Sequence, residues 1–177
     1  MKERKVADDI TDALFELLKT KNLADITTTE IIKKAGVCRS SFYRNFYLPE
    51  DVIRQYGVAM FEDINRTIPL AQEGMREHIE AVNTYLWAQR EHLALIEKRG
   101  LFYLLAEPIL NHCLLQIRRL DVWHNRYQAE FYSGATTHII RSWIQNGFEE
   151  SPHEITGIIC ELIKLDYMAR PDGSGRG

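Results

Sequence analysis

The feature that most constrains this chain is a pair of short helical patterns, at about 28–35 and 39–45, divided by a glycine turn at Gly36. Thr27-Thr28-Thr29-Glu30 opens the first as a capping box, with Thr27 the cap and Glu30 three residues on. Ala35 is small, which lets two helices approach closely, and Gly36 supplies the turn. Ile31, Val37, Phe42 and Phe46 fall where such a unit must bury an apolar face. That leaves Arg39, Ser40, Ser41, Tyr43, Arg44 and Asn45 on the outer faces of the second helix. Two helices joined this way have the geometry of a helix-turn-helix, whose second helix enters a DNA major groove. Side chains of these types can hydrogen-bond base edges or phosphates.

The helical period continues through the rest of the chain. Val6, Ile10, Ala13, Leu14, Leu17 and Leu18 recur at helical spacing, and Asn22 is expected to end that helix in the left-handed conformation. Pro49-Glu50-Asp51 opens a helix running to about Arg66, with proline at a tolerated position and acids near the positive end of the dipole. Further helices are read at about 71–89, 90–98, 101–120, 124–146 and 152–168, punctuated by Pro69, Gly100, Gly147 and Pro152. Pro108 predicts a kink or a break inside the third of these. Ser151-Pro152-His153-Glu154 is a second capping box, and no run of strand alternation occurs. The expected fold is all-α with about nine helices. An N-terminal three-helix unit carrying the helix-turn-helix covers 1–47, a helical body covers 48–168, and 169–177 is too polar and glycine-rich to pack, a disordered tail.

A length of 177 residues allows one large domain or two small ones, and 45% hydrophobic content suffices to bury a core. The longest apolar run, Leu101–Ala106, is far too short to span a bilayer. The start Met-Lys-Glu-Arg-Lys lacks the apolar core of a signal peptide. Three scattered cysteines (Cys38, Cys113, Cys160) argue against a disulfide scaffold and for a cytoplasmic location. The net charge is −3, but it is unevenly spread. Residues 1–49 carry nine Lys/Arg against seven Asp/Glu, and from Ile31 to Pro49 there are four basic residues and no acid. A local basic surface on an otherwise acidic chain suits a small DNA-contacting module on a larger body, although a solvated helix face gives the same charges.

The stretch Ile26–Phe46, with its capping Thr27, its Ala35-Gly36-Val37 turn and its Phe42-Tyr43-x-x-Phe46 signature, resembles the DNA-binding motif of the tetracycline-repressor (TetR) family. The likeness continues into Glu50-Asp51-Val52-Ile53 and covers about 45 residues. It implies that Thr27 and Thr29 contact phosphate. It further implies that Arg39, Ser40, Ser41, Arg44 and Asn45 face the groove or its walls, and that Tyr43 bonds a phosphate through its hydroxyl. The basic start Lys2-Glu3-Arg4-Lys5 looks like the flexible arm that some members lay against DNA. Two positions depart from the family pattern. Cys38 stands where Ser or Thr usually caps the recognition helix, and Pro49 stands where a lysine usually reaches a phosphate. Losing one phosphate contact weakens affinity and flattens its salt dependence by about one unit of slope. Cys38, at a helix start beside Arg39, also has the setting of a redox-sensitive thiol, although a small residue at a cap position needs no reactive role.

Ten of the eighteen aromatic residues lie between Tyr85 and Phe148. The resemblance implies an effector cavity among these helices, for which Tyr103, His112, Cys113, Tyr127 and His138 could supply the polar groups. Ordinary core packing accounts for the same aromatic residues. The histidines show no ligand pair at helical spacing and there is no Cys-x-x-Cys, so no metal or cofactor is expected. With no phosphate loop and no supported nucleophilic triad, no enzyme activity is expected either. The helices at 124–146 and 152–168 carry a wide apolar stripe that includes Phe131, Ala135, Ile139, Trp143, Ile155, Ile159 and Leu162. The resemblance makes that stripe the dimer interface, 1–47 the DNA-binding domain and 48–168 the effector-binding and dimerisation domain.

The reading is therefore a cytoplasmic homodimeric regulator, most of whose relatives repress. Its expected partners are double-stranded DNA, a second copy of itself and a small apolar or aromatic effector, with no membrane. Alternatives are a ligand-free activator or co-regulator that works through a protein partner, and an interaction protein that has lost operator binding.

Overall fold

A computed structural model of the chain describes residues 2–68, 74–119 and 126–162. Those residues form nine α-helices and one 3-10 turn, with no strand among them. The helices are α1 (Lys2–Leu18), α2 (Thr28–Ala35), α3 (Arg39–Asn45), α4 (Pro49–Thr67), α5 (Met75–Ala88), α6 (Arg90–Lys98), α7 (Tyr103–Arg119), α8 (Arg126–Gln145) and α9 (Pro152–Leu162). The expected tail, the far end of the last helix and the punctuation at Pro69 lie outside the described residues.

The chain divides into two compact units, Met1–Asp63 with Glu91–Ile109, and Ile64–Arg90 with Leu110–Gly177. In the first, α1 packs on α2 and α3. Its core joins Ile10, Leu14 and Leu18 of α1 to Ile31, Phe42 and Phe46, all within 1% of complete burial. These are the apolar positions that the helical spacing singles out. Phe15 extends the core sideways, stacked on His92 at 4.1 Å and edge-on to Tyr56 at 5.1 Å. Burial holds His92 below the usual histidine range, so the stack is formed by the neutral ring. A Cβ built at Gly57 would lie 2.8 Å from Leu105 Cδ2 and 3.4 Å from Pro108 Cγ, so α4 meets α7 across a glycine.

In the second unit α5 lies along α9. Asn83 donates to the Thr156 hydroxyl at 2.9 Å inside this contact, and that hydroxyl in turn donates to the Pro152 carbonyl at 2.6 Å. A buried amide is tolerated there because it is hydrogen-bonded. The turn after α8 uses Gly147 (φ 70°) and then Phe148 (φ 60°), the one described residue other than glycine with positive φ. Phe148 is held in that sparsely populated conformation by its packing, 4.7 Å from the Trp143 ring and 6.3 Å from Trp87.

Three local expectations are corrected. Asn22 is extended (φ −79°, ψ 154°), not left-handed; α1 ends at Leu18 and Asn22 opens the 3-10 turn Leu23–Asp25. Of the kink or break expected at Pro108, the break does not occur, since α7 runs from Tyr103 to Arg119 with the proline ring beside Gly57. Residues Lys2–Lys5, read as an arm, lie within the first turn of α1.

Candidate nucleic-acid interface

The interface is built outward from the cap of α2. The Thr27 hydroxyl accepts from the Glu30 amide at 3.3 Å, and the Glu30 carboxylate accepts from the Thr27 amide and hydroxyl, both at 2.9 Å. Hydrogen bonds from Lys21 and then from Thr27 pull the Glu30 carboxyl down to about 2. At the other end Gly36 takes φ 66° and its amide bonds the Ile32 carbonyl, closing the turn. The start of α2 is therefore fixed from within. The Thr27 hydroxyl already has a donor and an acceptor partner, while Thr29 stays exposed.

Helix α3 is only seven residues long, too short to hold itself in water. It is anchored by Phe42, fully buried, and by Phe46, whose amide bonds the Phe42 carbonyl at 2.8 Å. With those two rings turned inward, Arg39, Ser40, Tyr43 and Arg44 are exposed and Ser41 and Asn45 are half-buried. The Arg39 guanidinium lies 5.6 Å from the Tyr43 ring centre, one turn along the outer face. Asn45 turns back on the helix: its amide donates to the Ser41 carbonyl at 2.8 Å, while its own carbonyl accepts from Gln55 Nε2 at 2.9 Å. Gln55 was not singled out in the sequence, because a surface glutamine in α4 carries no signal of a contact ten residues away. No acidic side chain occurs between Ile31 and Pro49.

Cys38 occupies the cap position of α3 without making a side-chain cap bond. Its Sγ instead meets the hydroxyls of Ser40 at 3.2 Å and Ser41 at 3.0 Å. Those hydrogen bonds, Ser40 first, stabilise the thiolate and bring the group down to about 7.

The residues expected to line an effector site are divided between the two units. Tyr103 belongs to the first unit and is exposed, and Tyr127 and His138 are exposed in the second. The His138 Nδ1 lies 3.0 Å from the Gly134 carbonyl of its own helix. His112 and Cys113 do turn inward. The His112 ring is stacked near that of His78 (6.3 Å between centres), and burial pushes the Cys113 thiol up to about 12 against the opposing hydrogen bond from Thr137. Separately, an open groove of about 590 Å³ runs along α5, lined by Thr67, Ile68, Glu77, Glu80, Ala81, Thr84, Tyr85 and Ala88, and none of the five expected residues lines it. Among the described residues no group of three or more His, Cys, Asp or Glu is placed to hold a metal ion. No helix among them is long and apolar enough to cross a membrane.

The stripe assigned to dimerisation is also divided. Trp143 is 1% exposed, its indole donating to the Glu150 carbonyl at 2.9 Å, and Ile155 and Ile159 are likewise buried. Those three serve the unit's own core. Phe131 (68% exposed) and Leu162 (63%) face outward, and Ala135 and Ile139 are half-buried.

A family profile described as a TetR-type transcriptional regulator C-terminal region matches residues 100–165. A curated relative from Bacillus subtilis (strain 168), described as the uncharacterized HTH-type transcriptional regulator YxbF, is 27% identical. That match takes in 87% of this chain but only 43% of the relative, so the chain spans less than half the relative's length. Among solved structures, the fatty acid degradation regulator FadR from Bacillus halodurans superposes with a TM-score of 0.61 at 15% identity, covering 89% of this chain and 94% of that one. The TetR family repressor AlkX from Dietzia sp. strain DQ12-45-1b, implicated in n-alkane biodegradation, gives 0.56 at 18%, covering 90% and 93%. Thermus thermophilus FadR, a TetR family repressor solved with lauroyl-CoA, gives 0.54 at 18%, covering 97% and 100%. A capped and anchored helix-turn-helix, an all-helical fold shared with these regulators and a matching C-terminal region make this chain similar to the TetR-type transcriptional regulators.

Proposed function

We propose that this regulator acts as a homodimeric repressor, binding a palindromic operator through two copies of α3 and leaving it when a small apolar effector binds. The observation that carries the reading is the orientation of α3. Phe42 and Phe46 are buried, which directs Arg39, Ser40, Tyr43 and Arg44 outward in a segment free of acids. Arg39, Ser40 and Arg44 are assigned to the groove, Tyr43 and Thr29 to phosphates. Ser41 and Asn45 line the groove wall, and Thr27 acts through the helix cap that it closes. Residues 1–47 are the DNA-reading part and 48–168 the dimerising body.

One helix-turn-helix reads only a few base pairs, so two copies are needed for useful affinity, with recognition helices about 34–36 Å apart. The exposed Phe131 and Leu162, flanked by Ala135 and Ile139, supply apolar surface for that pairing. An effector that favours the splayed arrangement releases DNA by as much as its affinity differs between the two states. The inward-facing His112 and Cys113 are its polar contacts in this reading. Lauroyl-CoA, the compound bound by one structural neighbour, is the first effector to try.

In-vitro selection of duplexes by the full chain tests the proposal. The expected product is a palindromic consensus bound about three or more decades more tightly than random DNA, and released by an acyl effector. A pool that never enriches would remove operator binding from the account.

A further inference from the structure

We propose that Tyr47 and Leu48 form a rigid apolar fingertip that packs on the deoxyribose backbone beside the groove entered by α3. This rests on the DNA-reading role of α3 and extends it to residues outside the motif's polar face. Tyr47 is 79% exposed and Leu48 57%, and with Tyr43 they place three large exposed hydrophobic side chains within six positions.

The tip is held, not loose. The Tyr47 and Leu48 amides both donate to Asp51 Oδ2, at 3.1 and 2.9 Å, and the next residue, Pro49, begins α4. On the other side Phe46 is anchored in the core, and Gln55 ties the end of α3 to α4 through the Asn45 carbonyl. The tip therefore keeps a fixed position relative to the outward face of α3.

Its chemistry leaves little for a phosphate beyond the tyrosine hydroxyls. Both amides are spent on Asp51, Pro49 has no N–H, and none of the three side chains is cationic. The Asp51 carboxylate is itself engaged by the two amides and by Arg54 at 3.2 Å, which offsets its repulsion of a nearby phosphate. Apart from the two phenol hydroxyls, what the tip offers is apolar surface. The component of a DNA backbone that accepts apolar surface is the sugar, and contacts to sugar position a protein without reading sequence. Continuity with Tyr43 sets the occupant as the same duplex that α3 reads. Such a contact displaces no counterions, so its contribution is independent of salt.

The test measures dissociation constants of the full chain across a salt series, on a duplex selected by the unmodified protein and on a scrambled duplex. Tyr47→Ala with Leu48→Ala is expected to weaken both by about tenfold, by the same factor at every salt concentration and with an unchanged slope. Leu48→Met and Tyr47→Phe, which keep the apolar bulk (the second without the hydroxyl), are expected to retain affinity. Unchanged helicity and melting temperature of these exposed-site variants show that the fold is intact. If the double variant binds as tightly as the parent while Arg44→Ala still loses affinity, the fingertip is refuted and the α3 reading survives. If Arg44→Ala also changes nothing, the α3 reading fails and the fingertip falls with it. A double variant with unaltered DNA affinity but weakened self-association in sedimentation places a second copy on the tip, and overturns the proposal.

Discussion

The Arg99 guanidinium closes the end of α1, its Nε donating to the Leu18 carbonyl at 2.6 Å. Its Nη2 donates to the Lys19 carbonyl at 2.9 Å and its Nη1 to the Asn22 side chain at 3.1 Å. A cation is well placed there, because the last carbonyls of a helix have no partner within it and carry the negative end of its dipole. Arg99→Ala is expected to lower unfolding stability by about 2 kcal/mol. Arg99→Lys is expected to recover only part, since an ammonium cannot reproduce the forked geometry. Urea denaturation of the three proteins measures both steps.

The capping box of α2 makes stability acid-sensitive. Glu30 is depressed in the folded chain to about 2 from an ordinary 4.5, so its stabilising contribution is complete above pH about 4.5 and is lost as pH falls toward 2. In a denaturation series across that window, Glu30→Gln is expected to flatten the acid dependence. At neutral pH, Thr27→Ala is expected to cost about 1 kcal/mol.

Cys38 and Cys113 are expected to differ sharply in reactivity. Cys38 is exposed and brought down to about 7 by Ser40 and Ser41, whereas Cys113 is buried and pushed up to about 12. Iodoacetamide labelling of the folded chain should modify Cys38 with a pH midpoint near 7 and leave Cys113 untouched. Replacing Ser40 and Ser41 together by alanine should move that midpoint up toward 9.0.

The apolar stripe of α8 and α9 gives two opposite outcomes. Trp143→Ala should lower stability by about 3–5 kcal/mol, because the ring is core. Phe131→Glu with Leu162→Glu, at exposed positions, should leave melting of the protomer nearly unchanged and shift sedimentation toward monomer. Loss of association without loss of fold is the signature of an interface.

Much of this was legible in the residues because it is local. Both capping boxes, the Gly36 turn, and the bounds of α2, α3 and α6 depend on neighbours within four positions, and the structure reproduces them. The inward turn of Phe42 and Phe46 followed from period alone. Periodicity does not identify what an apolar face packs against: Trp143, Ile155 and Ile159 belong to the same stripe as Phe131 and Leu162 yet fill the core of their own unit. The Asn22 conformation, the Gly57 contact and the Arg99 cap were invisible for a related reason. Each is decided by chain distant in sequence, and Arg99 meets the end of α1 about eighty residues away. Side-chain chemistry marks Tyr103, His112, Cys113, Tyr127 and His138 as polar groups but carries no information about burial, and of the five His112 and Cys113 are the buried ones.

The central claim is that α3 enters the major groove as one of a symmetric pair. Dimethyl sulphate protection of guanine N7 on a selected duplex tests it most directly, because that atom lies on the major-groove edge. The account predicts two protected clusters about one helical turn apart, both lost in Arg44→Ala. A single cluster, or binding that leaves every N7 reactive, would contradict it.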